Sequence, residues 1–331
     1  MSNPIAVYSG STVLYWSAII ISLGLLAALM MTLSLQRSNK GSAAAVWLFV
    51  PLAVIFSVPF CRALHWYCHQ EQYASLLAAL RDYSSGSYVL SGALPGVVLA
   101  ALIASPLNTR STASLLDAFA PGAALSVAFI RLSSLFNSSC RSKISVNTPI
   151  LQHLPLAAGI VDSSGQVEYR FATFFLHFLL MLFLCRVLLG FFYSRRNVPM
   201  VSGNSEGNVA RMFLLFYSTT ELVMDSTRYD SSFLPINGFV SFVQIVAAVS
   251  IFAVLIYYSI HSVRANGFRW YHPALWVFWW ATLGAAGYSE YLVQRHGDWY
   301  LSCYFAMGLA CILNAGAVYR MYLSCCEDPE D

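Results

Sequence analysis

A few ionisable side chains sit where the chain is otherwise apolar, and their types point to one kind of chemistry. Arg131 lies near the end of PGAALSVAFIRLSSLFN, residues 121–137, a run apolar enough to enter a bilayer. Glu221, Asp225, Arg228 and Asp230 close a second such run in the pattern E-x-x-x-D-x-x-R-x-D. An arginine in hydrocarbon costs roughly 2.5–3.5 kcal/mol on insertion scales, so it faces a protein interior or a water-filled cavity, or it snorkels to the interface. Polar Asn137 follows within two helical turns, which keeps snorkelling open as one reading of Arg131 and a polar cavity as the other. Glu221 and Asp225 are spaced i,i+4 and share a helical face, with Arg228 one turn beyond Asp225 and in range to pair with it. An ion-paired helix end at the membrane surface is the plain reading of that cluster. The functional one is that guanidinium groups near a leaflet boundary clamp a lipid phosphate with paired hydrogen bonds.

The elements that must hold these residues are membrane helices. The chain has 331 residues, 58% of them hydrophobic and only 10% charged, against about 25% charged in an ordinary soluble domain. Its mean hydropathy is +0.63. Apolar runs near the roughly 20 residues that cross a bilayer recur along it. Spans are predicted at about 13–35, 43–64, 88–105, 111–136, 171–193, from 209, 236–260, 273–292 and 300–322. Arg37/Lys40, Arg110, Arg195/Arg196 and Arg264/Arg269 then fall in loops on one side. The positive-inside rule puts the N-terminus outside and the C-terminus in the cytoplasm, with Arg141 and Lys143 against the trend. Arg131 and Arg228 belong to the outer side of that topology. The fold class expected is an all-α polytopic membrane protein of about seven core helices and two C-terminal ones. Residues 1–262 form the main domain with an outer loop or head at 137–170, and residues 263–331 add two helices and an acidic tail.

Other motifs carry less. SGALPG, residues 91–96, contains Gly92 and Gly96 and fits either a broken helix lining a cavity or small-residue helix packing. His65 and His69 stand i,i+4 beside Cys68, a spacing that zinc can use, but no further ligand accompanies them and no metal is expected. Among eight cysteines, Cys61 and Cys68 are a candidate bridge if their loop meets an oxidising compartment. Tyr73 to Leu80 suits a short amphipathic surface helix. His177 and Arg186 lie inside the fifth span. The net charge of +3, with scattered basic residues, gives no reason to expect nucleic acid.

The order of these motifs resembles the prolipoprotein diacylglyceryl transferase family. SGALPG is similar to that family's H-G-G-L patch on its third span. Arg131 to Ser139, RLSSLFNSS, resembles its R-x-G-N-x-x-N-x-E signature and keeps Arg131 and Asn137. The segment from Glu221 to Asp230 resembles its R-x-x-x-E-x-x-R-x-x-D element, with Asp225 as the acid and Arg228 retained. GFVSFVQIVAAVSI, residues 238–251, is similar to its G-Q-x-L-S span start, with Gln244 matching. Departures are visible: Ser91 replaces the histidine of the patch, and Glu221 the first arginine of the late element. Ser134 and Ser139 stand for an asparagine and a glutamate, and Leu176 and His177 for a Tyr-Glu pair.

The resemblance implies transfer of the diacylglyceryl group of phosphatidylglycerol to a lipoprotein-precursor cysteine, in divergent form, at a bacterial inner membrane and without a cofactor. It also implies roles. Arg131, Arg228 and Asp225 are the candidate catalytic residues; Asn137, Gly92, Gly96, Glu221, Gln244 and His177 are the candidate substrate-binding residues. Phosphatidylglycerol or another anionic phospholipid, membrane lipid and lipoprotein precursors are the partners implied. The alternative function is a non-catalytic phospholipid-binding or transport protein on the same helices.

Overall fold

A computed structural model describes residues 5–9, 12–82, 88–136, 142–153, 156–161, 166–195, 200–201, 205–234, 237–297 and 300–326. In hydrocarbon every backbone polar group needs a partner within the protein, and an apolar run meets that demand by becoming a helix. After a short hairpin of β1 (Ile5–Ser9) and β2 (Thr12–Tyr15) come α1 (Trp16–Ser38) and α2 (Ala43–Cys68). Then follow the surface helix α3 (Leu76–Arg81), α4 (Ala93–Ala104) between two 3-10 turns, and α5 (Thr112–Ser133). A connection with α6 (Pro149–Gln152) and a hairpin of β3 (Ala157–Val161) and β4 (Val167–Phe171) leads to α7 (Thr173–Arg195) and α8 (Asn208–Ser226). A third hairpin, β5 (Phe233–Leu234) with β6 (Asn237–Ser241), precedes α9 (Phe242–Asn266), α10 (Tyr271–Arg295) and α11 (Tyr300–Cys326).

Seven of these segments are long and apolar enough to cross a membrane: α1, α2, residues 90–107 around α4, α5 with its following turn, α7, α9 and α11. The two other expected spans, α8 and α10, form full-length helices that fall short on apolarity. For α8 the packing gives the reason. It lies against α5, α7, α9 and α11, so its Glu221 and Asp225 face protein instead of lipid. The largest core cluster runs through that centre, with Ala124, Met181, Leu188, Met212, Leu215 and Leu255 all buried. A second core joins α2 to α4, α5 and α1 through Phe49, Val46, Ala100 and Leu115.

The loops assigned to one side of the membrane are tied together at one end of the bundle. Gln36 donates to Asn108 Oδ1 (2.8 Å), Asn39 to Ser114 Oγ (2.7 Å) and Arg110 Nη1 to Glu206 Oε1 (3.3 Å). Buried Asp117 accepts from the backbone N–H groups of Gly207 (2.6 Å) and Ala210 (2.9 Å), and so caps α8 from the neighbouring α5.

Two expectations change. The connection at 137–170, expected as an outer loop or head with no element assigned, contains the β3–β4 hairpin and the helix α6. Cys61 and Cys68 are not a bridge: both are free thiols on α2, where seven residues of rise separate them by about 10.5 Å. A disulfide needs Cα atoms within about 7 Å. The tyrosine-flanked loop that follows is held instead by buried Arg62, which donates to Ala79 O (2.7 and 3.1 Å) and pairs with Asp82 (3.5 Å).

Candidate functional site

The site is assembled by three helix ends. Arg131 sits in the last turn of α5, His177 in the second turn of α7, and Glu221 on the buried face of α8. Arg131 Nη2 donates to Glu221 Oε1 at 2.7 Å, and His177 Nε2 lies 3.6 Å from the same oxygen. The two side chains of the ion pair are only 9% and 2% exposed, so Arg131 is enclosed and does not snorkel. Several polar atoms of this cluster are buried and have no hydrogen-bond partner: Arg131 Nε, His177 Nε2, Glu221 Oε2 and Asp225 Oδ2. Buried polar atoms are nearly always satisfied, so four in one place mark a site with capacity for a further polar group.

Arg228 reaches the same place from the turn after α8. It lines, with Arg131, Ser134, Thr173, His177 and Met224, a partly open cavity of about 220 Å³ of empty space, open solvent included. The part open to a water centre is about 10 Å³, room for roughly one water. The two arginines therefore converge from segments far apart in sequence, the end of α5 and the turn after α8. Both already hold a carboxylate. Arg228 forms a paired contact with Asp230, Nε to Oδ1 at 2.9 Å and Nη2 to Oδ2 at 2.7 Å.

That contact corrects the expected Arg228–Asp225 pair. Helical geometry ends at Thr227, so Arg228 no longer projects along the face that carries Asp225, and the turn brings Asp230 to it instead. The Arg228 backbone is fixed by its own bond to Asp225 O (3.1 Å) and by an antiparallel bridge to Ser142. Ser142 Oγ donates to Thr227 O at 3.0 Å, and Lys143 N donates to it at 2.9 Å.

The remaining sequence candidates are placed differently. Gly92 and Gly96 face the α2 backbone: a Cβ on Gly96 would come within 2.6 Å of Ser57 N, and one on Gly92 within 2.8 Å of Cys61 N. Helix packing thus accounts for both. Gln244 completes a capping box, its Oε1 accepting from Ser241 N (2.9 Å), and its Nε2 donates to Leu222 O (3.2 Å), which staples α9 to α8. Asn137 lies outside the described residues. Arg186 is exposed on α7, away from the cavity lining. Thr173 and Met224 went unremarked in the sequence because nothing in their spacing distinguishes them from ordinary helix residues.

A sequence profile of the prolipoprotein diacylglyceryl transferase family matches residues 4–260. Similar proteins include the phosphatidylglycerol–prolipoprotein diacylglyceryl transferase of Streptococcus uberis, 22% identical over 262 residues, covering 77% of this chain and 95% of the relative. The protein of the same name from Streptococcus equi subsp. zooepidemicus is 23% identical over 256 residues, covering 75% and 93%. Helices α10 and α11 lie beyond the matched residues.

Proposed function

The chain belongs to the prolipoprotein diacylglyceryl transferase family, and on that premise we propose that it transfers the diacylglyceryl group of phosphatidylglycerol to the cysteine of a lipoprotein precursor. The cysteine thiol gives up its proton to water, and its sulfur forms a bond to the glycerol carbon that bears the phosphate. The carbon–oxygen bond to that phosphate breaks, and glycerol phosphate leaves with the electron pair. The leaving phosphate gains negative charge, so fixed guanidinium groups beside it favour the transition state. Arg131 and Arg228 take that role, each after exchanging its carboxylate partner for phosphate oxygens. Glu221 and Asp230 hold the two guanidiniums in the meantime, and His177 is the imidazole beside them. The reaction places the protein at a bacterial inner membrane, multi-pass, with the cavity towards the outer side.

One observation carries this reading: arginines from two distant segments line one polar cavity in a membrane protein. The second reading, phospholipid binding without transfer, draws support from Ser91, which stands where the family pattern has its histidine.

Purified protein incubated with labelled phosphatidylglycerol and a precursor peptide containing the target cysteine separates the two. A peptide mass gain of one diacylglyceryl group is the expected result. Lipid retained without mass gain favours the second reading, and neither lipid retention nor mass gain defeats both. Arg228→Gln, at a partly exposed position, is expected to weaken lipid retention while the fold survives.

A further inference from the structure

We propose that α10 and α11, which lie outside the family match, are positioning elements for Arg228, acting through a partly buried relay of Glu290, Gln294 and Lys143. The inference deepens the proposed reading of the cavity and rests on it for its functional consequence.

The relay begins on α10. Glu290 is only 3% exposed, and its Oε1 accepts from Gln294 Nε2 at 2.9 Å. Gln294 Oε1 accepts from Lys143 Nζ at 3.1 Å. The same lysine sits 4.9 Å from the centre of the Phe233 ring, at the start of β5 just beyond Arg228. Burial pushes its ammonium below the usual lysine range, while Glu290, Asp225 and Asp230 act against that shift. The lysine is thus held by the neutral amide of Gln294, with acids from α8, the turn after it and α10 around it.

From Lys143 the connection to Arg228 is backbone. Lys143 N donates to Thr227 O at 2.9 Å, and its neighbour Ser142 bridges Arg228. Helix α11 adds a second tie, since Tyr304 Oη donates to Ser226 O at 3.2 Å. Apolar contacts of Met307, Ala310 and Cys311 with Leu222 and Val223 press it onto the same end of α8. The hydrogen-bonded ties land on residues 226–228, just where the helix ends and the backbone has lost its own helical hydrogen bonds. A turn that carries a phosphate-binding guanidinium benefits from such external fixing, because misplacement of a clamp is felt directly in binding.

The test uses the full-length protein with Gln294→Leu and Lys143→Met, and Lys143→Arg as the conservative variant. Amide hydrogen exchange is followed across residues 212–230, and transfer is measured against phosphatidylglycerol concentration. Exchange at 226–230 is expected to quicken in Gln294→Leu and Lys143→Met while 212–221 keeps its protection. The half-saturating lipid concentration should rise about fivefold, the equivalent of one ordinary hydrogen bond, with the maximal rate within about twofold. Lys143→Arg should restore both readouts. Parent-like exchange at 226–230 in both disruptive variants would overturn the inference. A parent protein that gives no transfer sinks the proposed reaction instead, and the exchange result still judges the relay.

Discussion

The buried pair Arg131–Glu221 makes a sharp thermodynamic prediction. At 2.7 Å the Coulomb attraction is about 6 kcal/mol at an effective dielectric constant near 20. Desolvating each ion opposes it by several kcal/mol, so the intact pair contributes little net stability. Removing one partner is different, because the other charge then stays buried and unmatched, at about 3–5 kcal/mol. Glu221→Gln and Arg131→Met should each destabilise the protein by that amount. The double variant should be more stable than either single one. Thermal unfolding of the four proteins in one detergent reads this as the order of midpoints, which survives even if unfolding is irreversible. A double variant lying below both singles, near the sum of their losses, would refute the claim that these side chains compensate one another. The same substitution bears on ligand binding. If the Glu221 carboxylate competes with lipid phosphate for Arg131, Glu221→Gln should retain more phosphatidylglycerol than the parent. Less retention in a folded variant would show that Glu221 serves to aim Arg131.

Three further outcomes test the scaffold. Gly96→Ala places a methyl group 2.6 Å from Ser57 N, a backbone atom that cannot yield, so α2 and α4 must separate. A loss of about 1–3 kcal/mol in thermal stability is expected, and an unchanged midpoint would deny the close approach. Asp117→Asn weakens two charge-assisted bonds to the start of α8, and should cost about 1.5–3 kcal/mol with faster amide exchange at 207–210. An oxidant should fail to link Cys61 to Cys68, and both should still take up a thiol reagent after unfolding.

Much of the bundle was legible because its signal is long and uniform. A twenty-residue apolar run has one outcome in a bilayer, and most helices follow the predicted runs within a few residues; α9 starts six residues later than expected because 237–241 form β6. The seven-residue spacing of Cys61 and Cys68 already excluded a bridge once the helix was seen to continue through His65 and Trp66 to Cys68. The site was legible in part. A costly arginine in hydrocarbon announces an internal partner, and Arg131 has one in Glu221, ninety residues away. The identity of that partner was hidden, because sequence spacing reports neighbours on one helix and not across two. The same limit misassigned Arg228: i,i+3 pairing with Asp225 holds only while the helix lasts, and it ends at Thr227. Lys143 was noted only as a charge against the topology trend, and its partner Gln294 was hidden for a related reason, lying 151 residues away.

The convergence of Arg131, Glu221 and His177 also constrains how a lipid can enter. The cavity admits about one water, whereas a phosphate with its ester oxygens is several times larger, so the closed arrangement cannot hold a headgroup. Opening must separate guanidinium from carboxylate, and a bare separation would leave two buried charges unmatched at prohibitive cost. The economical route is exchange, with phosphate taking the place of Glu221 on Arg131 as that carboxylate swings away. The charge on the guanidinium is then compensated throughout. His177 Nε2 borders the same centre, 3.6 Å from the Glu221 oxygen. Positions 177 and 221, two of the departures noted from the resemblance, lie in contact, and Arg131 supplies the charge that matches Glu221.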